Sequence, residues 1–282
     1  MNDEESATVS ENESIEFDLL IEAIYKKYGY DFRNYSKATL KRRIQSKLSS
    51  SGFDSISAMQ HEVLYNKKFF ESMLIDLTIN VTEMFRDPSF YLAVREKVVP
   101  ILKIHPFIKI WHAGCSTGEE VYSMAIVLAE ENVLSKTTLY ATDIDDKVLK
   151  KAREGIYPLN KIKEYTANYQ KAGGTEAFSD YYTAKYEAVI MDSSLKKNIV
   201  FSQHNLVTGK AFGEMNMIVC RNVIIYFDKN LQNRVLKLFY DSLDKNGILS
   251  LGSKESIQFT NLRNHFSELV GKEKIYQKLK LK

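Results

Sequence analysis

The sequence predicts an α/β protein in which a small all-helical unit precedes a doubly wound domain built on a parallel sheet. From Ile15 to about Thr78, apolar residues recur at helical spacing. From Phe107 onward, short apolar runs alternate with helical patterns, which is typical of a parallel sheet covered by helices. Two apolar stretches on either side of Gly271 add an antiparallel hairpin at the end of the sheet.

Length, composition and charge agree with this class of protein. The chain has 282 residues, of which 44% are hydrophobic, enough for one large domain and one small one. A net charge of +3 gives no signal for nucleic-acid binding. No apolar run reaches the roughly 18 residues of a membrane span, so we expect a cytoplasmic protein without membrane insertion. The two cysteines, Cys115 and Cys220, are far apart, and no metal site is predicted.

The N-terminal part divides into an acidic segment and a helical domain. Residues 1–14 carry several acids and no base, which predicts a disordered acidic tail. Residues 15–78 form the predicted helical domain. In its first helix, apolar residues recur at i, i+3, i+4 and i+7: Phe17, Leu20, Ile21 and Ile24. In its second helix they recur at i, i+4 and i+8: Leu40, Ile44 and Leu48. Two further helices are expected at 54–65 and 67–78.

Residues 107–282 form the predicted α/β domain. Its strands are expected at 108–111, 138–144, 215–220 and 247–251, with a hairpin at 268–270 and 274–279, and its helices at 118–131, 146–154 and 228–243. Short apolar stretches separated by polar turns interrupt the alternation at about 178–203, which predicts an inserted antiparallel β-subdomain. Residues 79–106 are interpreted as a linker and cofactor-cleft segment.

The first strand runs directly into a Gly-x-x-x-Gly loop, Ala113–Glu120. In doubly wound sheets ligands bind beyond the carboxyl ends of the strands, but a plain helix start capped by Ser116 or Thr117 is an equal alternative. Two glutamates follow the second glycine, where a nucleotide-binding loop would carry lysine, and they would repel a phosphate. The loop therefore favours a cationic ligand without phosphate, such as S-adenosylmethionine.

Polar residues also follow two other strands. Asp143 ends the second strand and is placed to accept hydrogen bonds from a ribose diol, whereas Asp145 is the better cap for the next helix. Arg221 and Asn222 come at the carboxyl end of a very apolar run, which suits a ligand site better than a core.

These segments together resemble the chemotaxis receptor methyltransferase (CheR) family over roughly residues 15–280. The matching stretches occur in the family's order and are Asn80–Arg86, Ser116–Ser123, Ala141–Asp145, Ala152–Tyr157, Asn205–Leu206 and Cys220–Asp228. The resemblance implies a helical N-terminal domain, a Rossmann-like methyltransferase domain and an inserted β-subdomain. It also implies that S-adenosylmethionine is the cofactor, S-adenosylhomocysteine the product, and receptor glutamates the methyl acceptors.

The resemblance assigns roles to individual residues. Those implied around the cofactor are Asn80, Thr82, Arg86, Ala113, Glu119, Asp143, Asn205, Leu206, Arg221 and Asn222. Glu120 competes with Glu119 for the place near the methionine moiety. Arg86 and Tyr226 are implied to act near the transferred methyl. The stretch Gly252–Glu255 departs from the family pattern, and we assign it no role.

The second helix is basic and carries no acid. Its cations are Lys37, Lys41, Arg42, Arg43 and Lys47. Composition alone favours a solvated surface, but with the resemblance we predict that they dock the acidic methylation helices of a receptor. We expect a monomer. The loop before Asp192 lacks the glycines of members that bind a receptor's C-terminal pentapeptide, so such tethering is not predicted.

Two other functions compete with this interpretation. A non-catalytic module could bind S-adenosylmethionine or S-adenosylhomocysteine as a sensor, although the presence of both Arg86 and Tyr226 argues against it. A nicotinamide oxidoreductase is disfavoured by the glycine spacing and by the two glutamates.

Overall fold

The computed structural model describes residues 3–78 and 82–279. The chain forms two compact units: Met1–Asn80 with Tyr226–Leu231, and Val81–Ile225 with Gln232–Lys282. A short segment from late in the sequence therefore belongs to the N-terminal unit.

The first unit is helical, as predicted. Its helices are α1 (Asp3–Tyr28), α2 (Lys37–Ser51), α3 (Ile56–Tyr65) and α4 (Lys67–Leu77). Their apolar faces meet in a buried core that includes Leu20, Ile24, Ile44, Met59 and Met73. The starts of α3 and α4 are capped by Ser55 and Asn66, whose side chains accept hydrogen bonds from backbone N–H groups three residues later.

The prediction of a disordered acidic tail at residues 1–14 is wrong for residues 3–14, because α1 begins at Asp3. Glutamate and alanine favour helices, and negative charge in the first turns complements the helix dipole. The acidic stretch therefore continues the helix whose apolar face starts near Phe17. Met1 and Asn2 lie outside the described residues.

The second unit contains a seven-stranded sheet in the order β6-β2-β1-β7-β8-β10-β9. Its strands are β1 (Ile108–Ala113), β2 (Thr137–Asp143), β6 (Ile199–Gln203), β7 (Met215–Cys220), β8 (Leu243–Leu251), β9 (Phe266–Val270) and β10 (Ile275–Lys278). The first five pair in parallel, and the last two form the predicted antiparallel hairpin.

The helices described after residue 82 are α5 (Pro88–Ala93), α6 (Val99–Lys103), α7 (Glu119–Glu130), α8 (Asp146–Glu154), α9 (Ile162–Lys171), α10 (Ser193–Lys196) and α11 (Lys229–Ser242). A π-helical turn, Val94–Val98, joins α5 to α6. The segment interpreted as a linker is therefore helical from Pro88 to Lys103. The overlooked signal was an apolar residue at every fourth position, all buried: Phe90, Val94, Val98 and Leu102.

The antiparallel β-subdomain exists, but its predicted boundary at 178–203 is wrong. It is a three-stranded sheet in the order β3-β5-β4, made of β3 (Ile156–Pro158), β4 (Tyr182–Lys185) and β5 (Ala188–Met191). Strand β6 lies in the main sheet instead, parallel to β2. A short apolar run does not encode its partner, so periodicity could not separate β6 from its neighbours.

Candidate functional site

The carboxyl ends of four adjacent parallel strands lie along one edge of the main sheet. From β1 the chain moves outward to β2 and β6 on one side, and it returns to β7 and β8 on the other. The order of the strands therefore reverses between β1 and β7. Crevices at such reversals are the ligand sites of open α/β sheets. The predicted residues 113, 143, 205–206 and 221–222 end or follow these four strands.

The glycine loop between β1 and α7 is tightly folded. Gly114, Ser116 and Gly118 all have positive φ, at 80°, 50° and 94°. A Cβ on Gly114 would lie 2.5 Å from a methyl carbon of Val223, so only glycine fits there. Helix α7 begins after Gly118 without a side-chain cap, so the alternative of a helix start capped by Ser116 or Thr117 is wrong.

Asp143 is held by backbone groups at the end of β2. Its Oδ2 accepts a hydrogen bond from Ser116 N at 2.8 Å, and its Oδ1 accepts one from Asp145 N at 3.1 Å. Burial raises the pKa of the Asp143 carboxyl. Asp145 caps α8 by accepting a hydrogen bond from Lys147 N at 2.8 Å, which confirms the prediction.

The two glutamates that start α7 have different surroundings. Glu119 is 6% exposed and accepts a hydrogen bond from the Thr117 hydroxyl at 2.6 Å. Burial raises the pKa of its carboxyl to about 7. Glu120 reaches the β1/β7 reversal, where one oxygen lies 3.0 Å from His112 Nδ1 and the other accepts a hydrogen bond from Arg221 at 3.2 Å.

His112 and Arg221 stabilise the ionised form of the Glu120 carboxyl. Burial alone would raise the pKa of its carboxyl, but the hydrogen bond with His112 and the charge of Arg221 outweigh burial and lower it. Glu120 is therefore ionised over a wide pH range, whereas Glu119 changes its charge near neutrality.

Arg221 is the centre of a buried ion-pair network. Its side chain is 2% exposed, and its Nη2 donates to Asp87 Oδ2 at 2.6 Å while its Nη1 donates to Glu120. The guanidinium carbon lies 4.2 Å from the centroid of the Phe90 ring. Burial would lower the pKa of Arg221, but the charge of Glu120 raises it above its ordinary value. Arg221 thus joins the end of β7 to α7 and to the start of α5.

The same network supports the backbone at Arg86. The residues on either side, Phe85 and Asp87, have φ values of 54° and 56°, which are strained for side chains larger than glycine. Phe85 N donates to the Ser123 hydroxyl at 2.9 Å, and Arg221 Nη1 also approaches Arg86 O at 3.4 Å. The loop that carries Arg86 is therefore preorganised from both sides.

Glu255, to which no role was assigned, organises the loop after β7. Its carboxylate accepts hydrogen bonds from Asn222 N at 3.0 Å, Val223 N at 2.9 Å, Ile225 N at 3.2 Å and Gly252 N at 2.6 Å. Asn222 has a φ of 61°. The feature that marks this role is the burial of the Glu255 carboxylate after β8, and burial of a charged side chain cannot be predicted from the sequence.

The structure gives fewer contacts for the remaining residues that were predicted to lie around the cofactor. Asn205 and Leu206 follow β6, and Asn205 Oδ1 accepts a hydrogen bond from Val207 N at 2.8 Å. Thr82 is half-buried in the second unit. Asn80 lies outside the described residues. Tyr226 belongs to the first unit.

Two features are absent from the described residues. No helix there is long and apolar enough to span a membrane. No group of three or more histidine, cysteine, aspartate or glutamate side chains there could hold a metal ion.

Comparisons with known proteins agree with the geometry. The family model described as "CheR methyltransferase, SAM binding domain" matches residues 80–275, and "CheR methyltransferase, all-alpha domain" matches residues 15–78. The chain is 52% identical to Cher3 of Pseudomonas putida, provisionally named a methyltransferase, over 96% of this chain and 99% of that protein. It is 32% identical to a chemotaxis protein methyltransferase of Borreliella burgdorferi, covering 86% and 88% of the two chains. The corresponding protein of Salmonella typhimurium is 30% identical, with 89% and 86% covered.

Proposed function

Because the chain belongs to the CheR methyltransferase family, we propose that it transfers the methyl group of S-adenosylmethionine to glutamate carboxylates of chemotaxis receptors. The product on the receptor is a glutamyl methyl ester, and S-adenosylhomocysteine is released. The observation that carries the proposal is that Asp143 and Arg221 end or follow the two strands on either side of β1, and that Glu120, at the start of the helix after β1, pairs with Arg221.

The residues at this edge fit S-adenosylmethionine. When bound, the cofactor supplies an electrophilic methyl on a sulfonium. The carboxylate of Asp143 ends β2 and is a hydrogen-bond acceptor only, which suits a ribose hydroxyl. Together with Asp143, the carboxylates of Glu120 and Asp87 outnumber the guanidiniums of Arg221 and Arg86, so the crevice favours a cationic ligand.

We assign the acid near the methionine moiety to Glu120 rather than Glu119. An ammonium group is best bound by a carboxylate that is ionised before the ligand arrives. Glu120 meets this condition through its partners at the β1/β7 reversal. Glu119, by contrast, must lose a proton near neutral pH, and its carboxylate is turned toward Thr117.

The chain's own task in the reaction is alignment. A glutamate carboxylate has a pKa of about 4.3 and is ionised at neutral pH, so no strong base is required. The strained loop held by Arg221 and Ser123 keeps Arg86 in a set position, which favours a near-attack geometry. Arg86 and Tyr226 are the residues that we place near the transferred methyl.

The proposed partners are the acidic cytoplasmic helices of receptors. Exposed cations of α2 are suited to dock them through complementary charge. The monomeric state and the lack of pentapeptide tethering stay predictions.

Incubation with radiolabelled S-adenosylmethionine and receptor-containing membranes tests the proposal. We expect label on the receptor that is released by mild base, because carboxyl methyl esters hydrolyse readily. Cofactor binding in calorimetry without any receptor label would instead indicate a sensor module. Loss of label in an Asp143→Ala variant would connect the activity to the site described here.

A further inference from the structure

One face of α9 contacts the loop at residues 83–87, which carries Arg86 and is called the Arg86 loop below. Both elements belong to the second unit. The Glu83 carboxyl is hydrogen-bonded to that of Glu164, and the backbone carbonyl of Met84 accepts a hydrogen bond from Asn168 Nδ2 at 3.3 Å. Because Glu164 and Asn168 are four residues apart, they reach the loop from the same face of the helix.

Helix α9 is in turn fixed to the β-subdomain. It lies between β3 and β4 in the chain, and its Tyr169 ring lies 5.2 Å from Phe85 of the loop and 5.3 Å from Phe178. Phe178 precedes β4 and lies 5.5 Å from the ring of Tyr182 in that strand. Phe85 is one of the loop residues with a positive φ. The β-subdomain therefore supports the strained part of the Arg86 loop.

Glu83 and Glu164 are two carboxyl groups in one hydrogen bond, which requires a proton between them. Lys161 Nζ lies 3.1 Å from Glu164 Oε2 and stabilises the ionised form of Glu164. Burial and the bond to Glu164 raise the pKa of the Glu83 carboxyl, whereas Lys161 and the same bond lower the pKa of Glu164. The proton therefore resides on Glu83, whose O–H donates to the Glu164 carboxylate.

The charged and titratable groups that face Glu83 favour a change of partner when this proton leaves. They are Glu164, its partner Lys161 and Tyr165 on α9 and the preceding turn, and Arg86 and Asp87 on the loop itself. An ionised Glu83 is repelled by Glu164 and attracted by Arg86. Loss of the proton would thus separate the loop from α9 and place a negative charge beside Arg86.

We propose that Glu83, Glu164 and Asn168 are positioning residues for Arg86, and that the proton shared by the two carboxyls keeps the Arg86 loop in its productive geometry. This inference rests on the proposed function. The three residues act through the backbone of Met84 and through the charge beside Arg86. Since a small misplacement of an aligning group slows a displacement reaction, their loss lowers kcat more than the affinity for S-adenosylhomocysteine.

The shared proton gives kcat a pH dependence of definite sign. The contact forms below the raised pKa of Glu83 and is lost as pH rises through it. Glutamine at either position keeps a hydrogen bond at every pH, because an amide both donates and accepts. Wild-type kcat should match that of Glu83→Gln and Glu164→Gln at about pH 5, and by about pH 8 it should fall toward that of Glu83→Ala, roughly 10-fold lower.

Matched variants separate this effect from other consequences of pH and mutation. Ionisation of the receptor glutamates affects every variant alike, so it cancels in the ratio of kcat to the wild-type value. Glu187→Gln makes the same change at an exposed glutamate of the β-subdomain and should follow the wild type at each pH. Asn168→Ala should lower kcat at every pH, whereas Asn160→Ala at an exposed position should not.

Hydrogen–deuterium exchange of the peptide that contains the Arg86 loop gives a readout besides methylation. At equal pH, exchange should be faster in Glu83→Ala than in Glu83→Gln. If receptors are methylated but the ratio of Glu83→Gln to wild-type kcat is constant from about pH 5 to pH 8, the inference is wrong and the proposed function stands. If wild-type protein labels no receptor, the proposed function fails, and equal exchange in the two variants would overturn the inference separately.

Discussion

Replacement of Glu119 by glutamine should stabilise the protein in a pH-dependent way. Burial raises the pKa of this carboxyl from 4.5 to about 7 in the folded protein. Between these two values the folded state binds more protons than the unfolded chain, so stability falls as pH rises. The burial cost is nearly absent below pH 4.5 and fully present above pH 7. Glutamine is neutral throughout and can still accept the hydrogen bond of the Thr117 hydroxyl.

The size of the effect follows from the two pKa values. Each tenfold difference in proton affinity corresponds to about 1.4 kcal/mol, so the full cost of ionising Glu119 is about 3 kcal/mol. Between pH 5 and pH 8, the gain of Glu119→Gln over wild type should grow by about 2–3 kcal/mol. Urea unfolding at the two pH values measures this difference.

The exposed Glu96 provides a matched control, because Glu96→Gln should give nearly the same change in unfolding free energy at both pH values. A Glu119→Gln gain that varies by less than about 0.5 kcal/mol between pH 5 and pH 8 would refute the burial argument.

The same variant distinguishes the two glutamates as cofactor ligands. If Glu120 binds the ammonium group, Glu119→Gln leaves the affinity for S-adenosylhomocysteine unchanged, and the wild-type affinity is nearly flat from pH 5.5 to 7. If Glu119 were the ligand, its ionised fraction, and with it the wild-type affinity, would rise roughly 15-fold over that range. Calorimetry at the two pH values decides between them.

Three other variants probe the network and the site. Arg221→Met should lower the free energy of unfolding, measured by urea titration, by about 3 kcal/mol, because it leaves two carboxylates without their buried cation. As a control, Lys103→Met removes an exposed ion pair and should lower the free energy of unfolding by less than about 1 kcal/mol. Asp143→Ala should weaken S-adenosylhomocysteine binding in calorimetry, and an unaltered affinity would contradict the ribose assignment. Arg86→Ala and Tyr226→Phe should reduce turnover more than cofactor affinity; unchanged turnover would remove them from the reaction.

Much of the fold could be predicted because its signals are local. The periodicity of apolar residues predicted the helical unit, strands β1, β2 and β7 and the terminal hairpin. The partner of β6 could not be predicted, because pairing depends on strands distant in the chain. The helical segment after Pro88 carried its own periodic signal and was overlooked.

The candidate site shows the same division. Parallel strands bring their carboxyl ends to one edge, so polar residues after several strands predicted a shared site for Asp143, Arg221 and Asn222. The side-chain partners did not follow from this rule. Asp87 and Glu255 organise the loops around the site, yet no sequence pattern marked them.

Motif order and apolar periodicity were sufficient to assign the family and the cofactor, and they predicted the strand ends at which we propose that the cofactor binds. Two choices between neighbouring residues required the packed chain. Glu119 and Glu120 are adjacent, but they point about 100° apart around the helix axis, so one is buried against Thr117 and the other meets Arg221. Arg42 and Arg43 are also adjacent, yet Arg42 is exposed to solvent whereas the guanidinium of Arg43 packs over the Tyr226 ring. Burial and pairing depend on which distant element packs against each face, and that information arises only when the elements come together.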